Sequence, residues 1–334
     1  MKHVPGTIEP GNEESLAGMG APKVWKRGRG DNPRPRTYSE GDGPMHVLQK
    51  NKWVKLLFVG PAFILFTYFI IVATGQTIYY SFTKWKGLGS PSWLGWGNYA
   101  KLFQTEDFYI VMRNNLLGLV LALIIQLGLG LIFAYLIYRT VRGMRIFRSL
   151  SFVPVVMSGA AVALMFSLIF DGNLGPLNQV LKSMGLASWT RNWLSDPDVI
   201  FYAILFPMIY QYIGQYIIIM LAGMQSIPEE IIESAQIDGA SSFKVFTRIV
   251  VPSQVDIILL CAIMITSGSF KAFEHSYIMT GGYSLRGAFM GVYMYITTFQ
   301  SNNFGRGSAL AIIILLCSLF FTKILQRVAR RFEY

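Results

Sequence analysis

The chain has 334 residues, of which 53% are hydrophobic and only 14% are charged. Soluble domains carry charge on about a quarter of their residues, so this composition excludes an ordinary soluble enzyme and indicates a membrane protein. The formal net charge of +11 does not by itself indicate a nucleic-acid partner, because the basic residues flank long apolar runs.

The first 52 residues are rich in Gly, Pro, Lys, Arg and Glu and show almost no apolar periodicity. This composition predicts a disordered basic tail. A cleaved signal peptide is excluded because the first apolar run begins too late. We interpret the segment as a solvated tail that helps to set membrane topology, with binding to a partner or to anionic lipid as the alternative.

Six apolar runs follow, each near the ~20 residues that a helix needs to cross a bilayer. They are continuous and do not alternate, so they predict an all-α polytopic protein with six transmembrane helices and not a barrel. The third run contains Pro154 and the fourth Pro207, and a helical bundle can accommodate both as kinks. The pattern divides the chain into the tail, a first helix with its external loop (53–110) and a core domain of five helices (111–330). The runs lie at about 54–82, 111–138, 149–170, 199–224, 255–279 and 308–325.

Most of the 29 lysine and arginine residues lie in or beside segments on the same side as the tail. By the positive-inside rule, both termini and the polar segment 225–252 are expected in the cytoplasm. Cys261 and Cys317 lie inside apolar runs, which predicts buried free thiols and not a disulfide. Externally, residues 176–184 are expected to form a short helix that ends at Gly185.

The segment 225–252 reads QSIPEEIIESAQIDGASSFKVFTRIVVP and predicts two short helices around a glycine. Ser226 is expected to cap the first helix in a capping box, and Gly239 to end it in the left-handed conformation. Ser241 is expected to cap the second helix, and Pro252 to end it. Two capped helices between membrane spans are typical of a docking element.

Catalytic patterns do not stand out anywhere in the chain. It contains no GxxxxGK[ST] phosphate loop, so hydrolysis of ATP by this chain is not expected. It also lacks a Ser-His-Asp set, a carboxylate pair and metal-ligand spacing, so we expect neither catalysis nor a metal site.

Four sequence motifs occur in the same order as in a known protein family, which this chain therefore resembles. Glu233-Ser234-Ala235, Asp238-Gly239-Ala240 and the IVVP of residues 249–252 resemble the EAA loop of bacterial ABC importer permeases. Ser234 and Val251 depart from the family's alanine and leucine. LGWGNY at 94–99, the segment 172–186 and TGG at 280–282 resemble the GLxNY, GxxN and TGG segments of carbohydrate-importer permeases, although YS follows TGG where Gly-Pro is usual.

The resemblance implies the transmembrane domain of a type I ABC importer in the bacterial plasma membrane. An external solute-binding protein would deliver a sugar or oligosaccharide to a pathway formed with a second, homologous permease chain, in a heterodimer. Two cytoplasmic ATPase subunits, which hold ATP and Mg, would drive transport, and this chain would need no cofactor. Glu233 would contact a basic group of the ATPase, Ala235 would allow close approach, and Gly239 would turn the chain.

Polar residues inside the spans are the candidates for the sugar pathway. Gln211, Tyr212, Gln215 and Tyr216 share one broad helical face of the fourth span. Amides bond sugar hydroxyls and tyrosine rings stack on pyranose faces, although these groups could instead bond neighbouring helices. Asn115 of the second span is a weaker candidate, and Lys271 and Glu274 are interpreted as an ion pair.

An ion-coupled secondary transporter or channel without an ATPase is the alternative reading. Such a protein would be expected to carry buried acidic residues or an inverted repeat. The spans are nearly free of carboxylates, which favours the importer.

Overall fold

The computed structural model describes residues 52–139 and 144–330, so the predicted basic tail, apart from Lys52, lies outside the described residues. Contacts divide the chain into two units, Met1–Leu65 and Phe66–Tyr334. The described part of the first unit is a stretch of apolar helix. The second unit contains the remaining helices and a two-stranded sheet.

The described residues are mostly helical, and helices that continue through a π-helical turn are given one label. The first seven are α1 (Lys52–Phe66, Thr67–Val72, Ala73–Ser81), α2 (Gly97–Phe103), α3 (Glu106–Ala122, Leu123–Leu127, Gly128–Arg139), α4 (Met144–Val156), α5 (Gly159–Ile169), α6 (Pro176–Ser183) and α7 (Ile200–Met224). The others are α8 (Glu229–Ile237), α9 (Ser242–Val245, Phe246–Val250, Val251–Ser253), α10 (Val255–Phe270), α11 (Glu274–Thr280), α12 (Met290–Tyr295, Ile296–Gln300) and α13 (Phe304–Ala329).

The structure confirms the predicted all-α fold. Within the described residues, five helical segments are long and apolar enough to cross a membrane, and a bent pair makes a sixth. The bent pair is α4 and α5, which meet at 95°. The break follows Val156, two residues after Pro154, and Pro207 lies inside an unbroken α7.

The α7 helix is the centre of the packing. In the most apolar stretch of this helix 56% is buried inside the protein, against 17% in the corresponding stretch of α13. The α4 helix approaches α7 at Gly214, where a side chain would overlap the carbonyl oxygen of Ser151. Beside this contact, Gln211 Nε2 donates to the carbonyl oxygen of Met157 at 2.9 Å, at the break between α4 and α5. A polar side chain of α7 thus satisfies backbone that the bend leaves without a helical partner.

Two adjacent asparagines of α3 hold the segment between α11 and α12. Asn114 Nδ2 donates to the carbonyl oxygens of Arg286 and Ala288, each at 2.9 Å. Asn115 Oδ1 accepts the N–H of Met290 at 2.7 Å, and its Nδ2 donates to Ser269 O at 3.1 Å. Side-chain amides therefore replace the backbone bonds that this irregular segment lacks.

The segments that join α1 to α3 and α5 to α7 rest on similar amide bridges. Asn98 Nδ2 donates to the carbonyls of Ser81 and Thr83 at 2.9 and 2.8 Å, beside the antiparallel strands β1 (Thr83–Lys84) and β2 (Ser92–Trp93). Farther along the chain, Asn178 bonds the Gly172 carbonyl and accepts the indole N–H of Trp193 at 2.9 Å. The buried asparagines of both segments that resemble the family therefore tie loops to helices.

The segment that contains α6 confirms its predicted helix. The helix ends at Ser183, and Gly185 follows with φ +77°. Before it, the N–H groups of Leu174 and Asn173 bond the carboxylate of Asp171 and hold its pKa below the ordinary value. Asp196 also has a lowered pKa, because it accepts the N–H of Asp198 and pairs with Arg191 at 3.1 Å.

Replacing Asn115 with leucine tests the amide bridge. Asn115→Leu leaves the buried N–H of Met290 without its acceptor, so we expect a loss of about 1–3 kcal/mol in stability. Gln104→Ala, a change at an exposed amide, is the matched control. Thermal unfolding in detergent measures both variants, and an equal midpoint for the two would contradict the bridging role.

Candidate functional site

The segment 225–252 forms the two helices α8 and α9, as the sequence predicts, but the first helix begins differently. Pro228 occupies the N-cap position of α8 and makes no side-chain cap bond. Ser226 Oγ instead donates to the carbonyl oxygen of Gly223 at 2.7 Å, at the end of α7. The predicted Ser226 capping box is therefore wrong, because the hydroxyl satisfies the preceding helix.

The turn between the helices is the predicted glycine turn. Gly239 has φ +76°, and its N–H bonds the Gln236 carbonyl at 3.0 Å. Ser241 Oγ accepts the N–H of Lys244 at 3.4 Å and caps α9. The helical path continues through Pro252 and ends at Ser253, so the predicted stop at Pro252 is one residue early.

The motif residues divide between the two sides of this segment. Ala235 and Ala240 are half-buried against the core, together with Ile232. The other four motif residues are exposed: Glu233, Ser234, Asp238 and Gly239. Two large apolar side chains are exposed with them, Ile237 at 86% and Phe243 at 74%. The outer side therefore combines a carboxylate with apolar side chains. Such a surface can enter an apolar groove that carries a basic rim.

The C-terminal end of α3 holds α9 in place. Tyr135 Oη donates to the carbonyl oxygen of Ser242 at 3.1 Å, and its ring lies 4.7 Å from that of Phe246. The guanidinium carbon of Arg139 lies 6.0 Å from the centre of the same tyrosine ring. The segment is thus attached to the spans and is not a free connector.

A cavity of about 430 Å³ lies between α3, α7, α10 and α11. Three of the predicted pathway residues, Tyr212, Gln215 and Tyr216, line it. Around them the walls combine apolar side chains with a few polar groups, as small-molecule sites usually do. The other polar lining residues are Gln126, Ser269, Lys271, Glu274 and His275.

Two predicted pathway residues do not line this cavity. Gln211 is 2% exposed, and its amide nitrogen bonds the break between α4 and α5. Asn115 is fully buried, with both amide atoms engaged by Ser269 and Met290. The polar face of α7 that lines the cavity is therefore narrower than the sequence pattern indicates, because Gln211 points to the break between α4 and α5 instead.

Three cavity residues that were not among the predicted sugar-pathway residues come from the junction of α10 and α11. Lys271 and Glu274 are exposed to the cavity, and within the described residues they form no ion pair, so the predicted pairing is wrong. His275 is 5% exposed and lies beside Tyr212, with ring centres 6.5 Å apart. The interruption of the helix at residues 271–273 turns these side chains toward the cavity. These three residues form a polar cluster near the end of the fifth apolar run, and this cluster is the feature of the sequence that could have indicated their place in the cavity.

Comparison with known proteins places these features in a family. The family model for the binding-protein-dependent transport system inner membrane component matches residues 126–334. The "Probable ABC transporter permease protein PH1215" of Pyrococcus horikoshii is 35% identical over 266 residues, which cover 79% of this chain and 91% of that protein.

Relatives with named substrates are also similar to this chain. The multiple sugar-binding transport system permease protein MsmF of Streptococcus mutans is 30% identical, over 85% of this chain and 97% of the relative. Among solved structures, a bacterial ABC transporter involved in the import of the acidic polysaccharide alginate matches with a TM-score of 0.75 and 21% identity, over 87% of this chain and 99% of that chain. At that identity the structural match shows the fold.

Gly239→Ala tests the turn between α8 and α9. A Cβ at this glycine would meet no atom within 4 Å, so the expected cost is conformational, about 1–2 kcal/mol for a left-handed residue. Amide hydrogen exchange in residues 229–245 should therefore accelerate by roughly 5- to 30-fold. Gly128→Ala, at an open helical glycine, is the control and should leave exchange in this segment unchanged. Equal exchange in both variants would refute the requirement for glycine.

Proposed function

We propose that this chain, which belongs to the family of binding-protein-dependent transport system inner membrane components, forms the pathway of an ATP-driven importer for a sugar or oligosaccharide. The cavity carries the proposal, because it encloses tyrosine and amide side chains among apolar spans. The name of the Streptococcus mutans relative supports a carbohydrate substrate. The cavity lies between helices that include α7 and α10, and these two helices also flank the cytoplasmic segment.

The chemistry of the cavity suits an uncharged, hydroxyl-rich ligand. Gln126 and Gln215 each offer a donor and an acceptor for sugar hydroxyls. Tyr212 and Tyr216 offer flat rings for the apolar faces of a pyranose, and hydroxyl groups for its edges. A polar ligand leaves water for such a cavity only when its hydrogen bonds are replaced, and these side chains supply replacements.

The cytoplasmic segment would connect the cavity to ATP hydrolysis on separate subunits. Glu233, Ile237 and Phe243 would enter a groove of an ATPase subunit that holds ATP and Mg. The α7 and α10 helices enter and leave this segment, and both line the cavity. Movement of the segment as a rigid body would therefore move two cavity walls.

The complete transporter would contain four further subunits or partners beside this non-catalytic chain. We expect a second permease chain, two cytoplasmic ATPase subunits and an external solute-binding protein that delivers the sugar. Both termini and the segment 225–252 would lie in the cytoplasm, because basic residues concentrate on that side. The external segments with α6 and the TGG residues would face the binding protein.

Uptake by the reconstituted complex tests the proposal. Proteoliposomes with both permeases, the ATPases and the binding protein should accumulate a labelled oligosaccharide only when ATP is present on the ATPase side. A secondary transporter is the rival, and Glu274 is a cavity carboxylate that could serve ion coupling. Uptake by this chain alone, driven by an ion gradient without ATP, would refute the importer.

Tyr216→Phe tests the sugar contact. Removal of one hydroxyl that bonds the substrate should raise the substrate concentration for half-maximal uptake by about 2- to 10-fold, since such a bond contributes about 0.5–1.5 kcal/mol. Tyr202→Phe is the matched control, because Tyr202 is exposed on the same helix and lies outside the cavity. Equal uptake curves for the two variants would remove Tyr216 from the proposed site.

Glu233→Gln tests the coupling contact with a change of charge and little change of shape. Loss of the contact should lower ATPase association and ATP-driven uptake by roughly tenfold, within the range of a charge-assisted hydrogen bond. Glu230→Gln, on the same helix, is the control. The contact is disproved if the ATPase still copurifies and uptake remains at the level of the control.

A further inference from the structure

The elbow where α4 meets α5 leaves the start of α5 without a side-chain cap. Ser158 occupies the N-cap position of α5, but its side chain makes no cap hydrogen bond. The N–H group of Val162 bonds the carbonyl oxygen of Ser158 at 3.1 Å. The N–H groups of the residues between these two belong to the first turn of the helix, and they have no acceptor within it.

Lipid cannot supply partners for these groups. The α4 helix has 13 residues and α5 has 11. At 1.5 Å per residue they are about 20 and 17 Å long, against about 30 Å of hydrocarbon, so only the pair together can cross a bilayer. The elbow therefore lies at membrane depth, where the partners of backbone N–H groups must come from protein or water.

The carboxylate of Glu274 lies against the start of α5. A Cβ at Gly159, the first residue of this helix, would overlap Glu274 Oε2 and would lie 3.2 Å from Glu274 Cδ. Glu274 is itself the first residue of α11, and α11 packs along α5. Glycine at position 159 therefore leaves the space that the carboxylate occupies.

The start of α5 is the positive group that faces this carboxylate. Among the described residues Glu274 forms no ion pair, although Lys271 lines the same cavity. A carboxylate inside a membrane is costly unless a positive group or a hydrogen-bond donor faces it. The N-terminus of a helix carries the equivalent of about half a positive charge, so a carboxylate is favourable at this place. Glu274 and the start of α5 thus stabilise each other.

This contact is linked to a residue that is proposed to bind the sugar. His275 follows Glu274 on α11 and is 5% exposed, and its Cε1 lies 3.5 Å from the place of a Cβ at Gly159. The ring of His275 also lies edge-to-face with that of Tyr212, with 6.5 Å between the ring centres. A shift of α11 away from α5 would therefore displace the cavity wall beside Tyr212.

We propose that Glu274 is a positioning residue of the cavity, whose carboxylate holds the N-terminus of α5 against α11 and so fixes the wall beside Tyr212. A carboxylate that couples transport to an ion must change its partner during the cycle. A carboxylate that holds a helix in place keeps its partner. The inference rests on the proposed function only for its transport readout, because the contact between Glu274 and α5 is structural.

Glu274→Gln tests the contact, because it removes the charge and keeps the shape of the side chain. Amide hydrogen exchange of residues 159–162 is measured for the full chain in lipid nanodiscs. We expect this exchange to accelerate about 5- to 30-fold, since a favourable charge at a helix end is lost. Glu106→Gln is the control, because Glu106 is an exposed carboxylate in the first turn of α3 and lies outside the cavity. Equal exchange in the two variants would overturn the proposal.

Gly159→Ala tests the positioning role from the other side of the contact. The added methyl group would displace the Glu274 carboxylate. The sugar concentration for half-maximal uptake by the reconstituted complex should then rise about 5- to 30-fold, with the maximal rate kept within about twofold. In a Glu274→Ala background the same change should have little further effect, because the two residues act through one contact. Equal effects of Gly159→Ala in the two backgrounds would overturn the positioning role.

The two readouts separate failure of this inference from failure of the proposed function. Exchange in α5 does not require transport, so accelerated exchange in a chain whose complex takes up no sugar would support the contact and refute the importer. Accelerated exchange with unchanged uptake curves would overturn the positioning role and leave the importer standing. Uptake that is driven by an ion gradient without ATP, and is lost in Glu274→Gln, would overturn both.

Discussion

The structure depends on one constraint, which is that backbone N–H and C=O groups need partners wherever a helix is interrupted inside hydrocarbon. The interruptions in this chain coincide with buried side-chain amides. Gln211 bonds the elbow of α4 and α5, and Asn114 and Asn115 bond the segment before α12. These amides supply partners for part of the backbone where the spans bend around a cavity. The buried amides of Gln211, Asn114 and Asn115 therefore act as structural bridges.

The same architecture places the cavity and the segment 225–252 on shared helices. The α7 and α10 helices pack closely at Gly223, where a side chain would overlap Ile257 and Gln254. Tyr135 of α3 attaches α9 to a third cavity-lining helix. Close packing of this kind transmits displacement, because packed interfaces shift between discrete arrangements and do not deform continuously. In the proposed importer, force applied at Glu233 would therefore reach the tyrosines of α7 through these packed helices.

Much of this organisation is predictable from the sequence, and the errors have physical causes. Apolar runs locate the spans because length and hydropathy are local properties, and Gly239 is recognisable because few other residues tolerate its backbone conformation. The elbow after Val156 is not predictable from Pro154, since its position depends on contacts with Gln211 and Gly214 of another helix. The role of Asn115 is hidden for the same reason, because its partners lie more than 150 residues away. Ser226 shows the limit of the capping-box motif, because the local sequence does not determine whether the hydroxyl bonds the helix that follows or the helix that precedes it.

Accessibility of the cavity during ATP turnover tests the coupled pathway most directly. Gln215→Cys would place a thiol in the cavity wall, in a chain where Cys261 and Cys317 are replaced by alanine. A membrane-impermeant maleimide is applied from the outer side to the full complex, with and without trapped ATP. We expect the labelling rate to change at least tenfold between the two states, because movement of α7 and α10 would open the cavity to one side at a time. Equal labelling in both states, in a complex that hydrolyses ATP, would contradict the account.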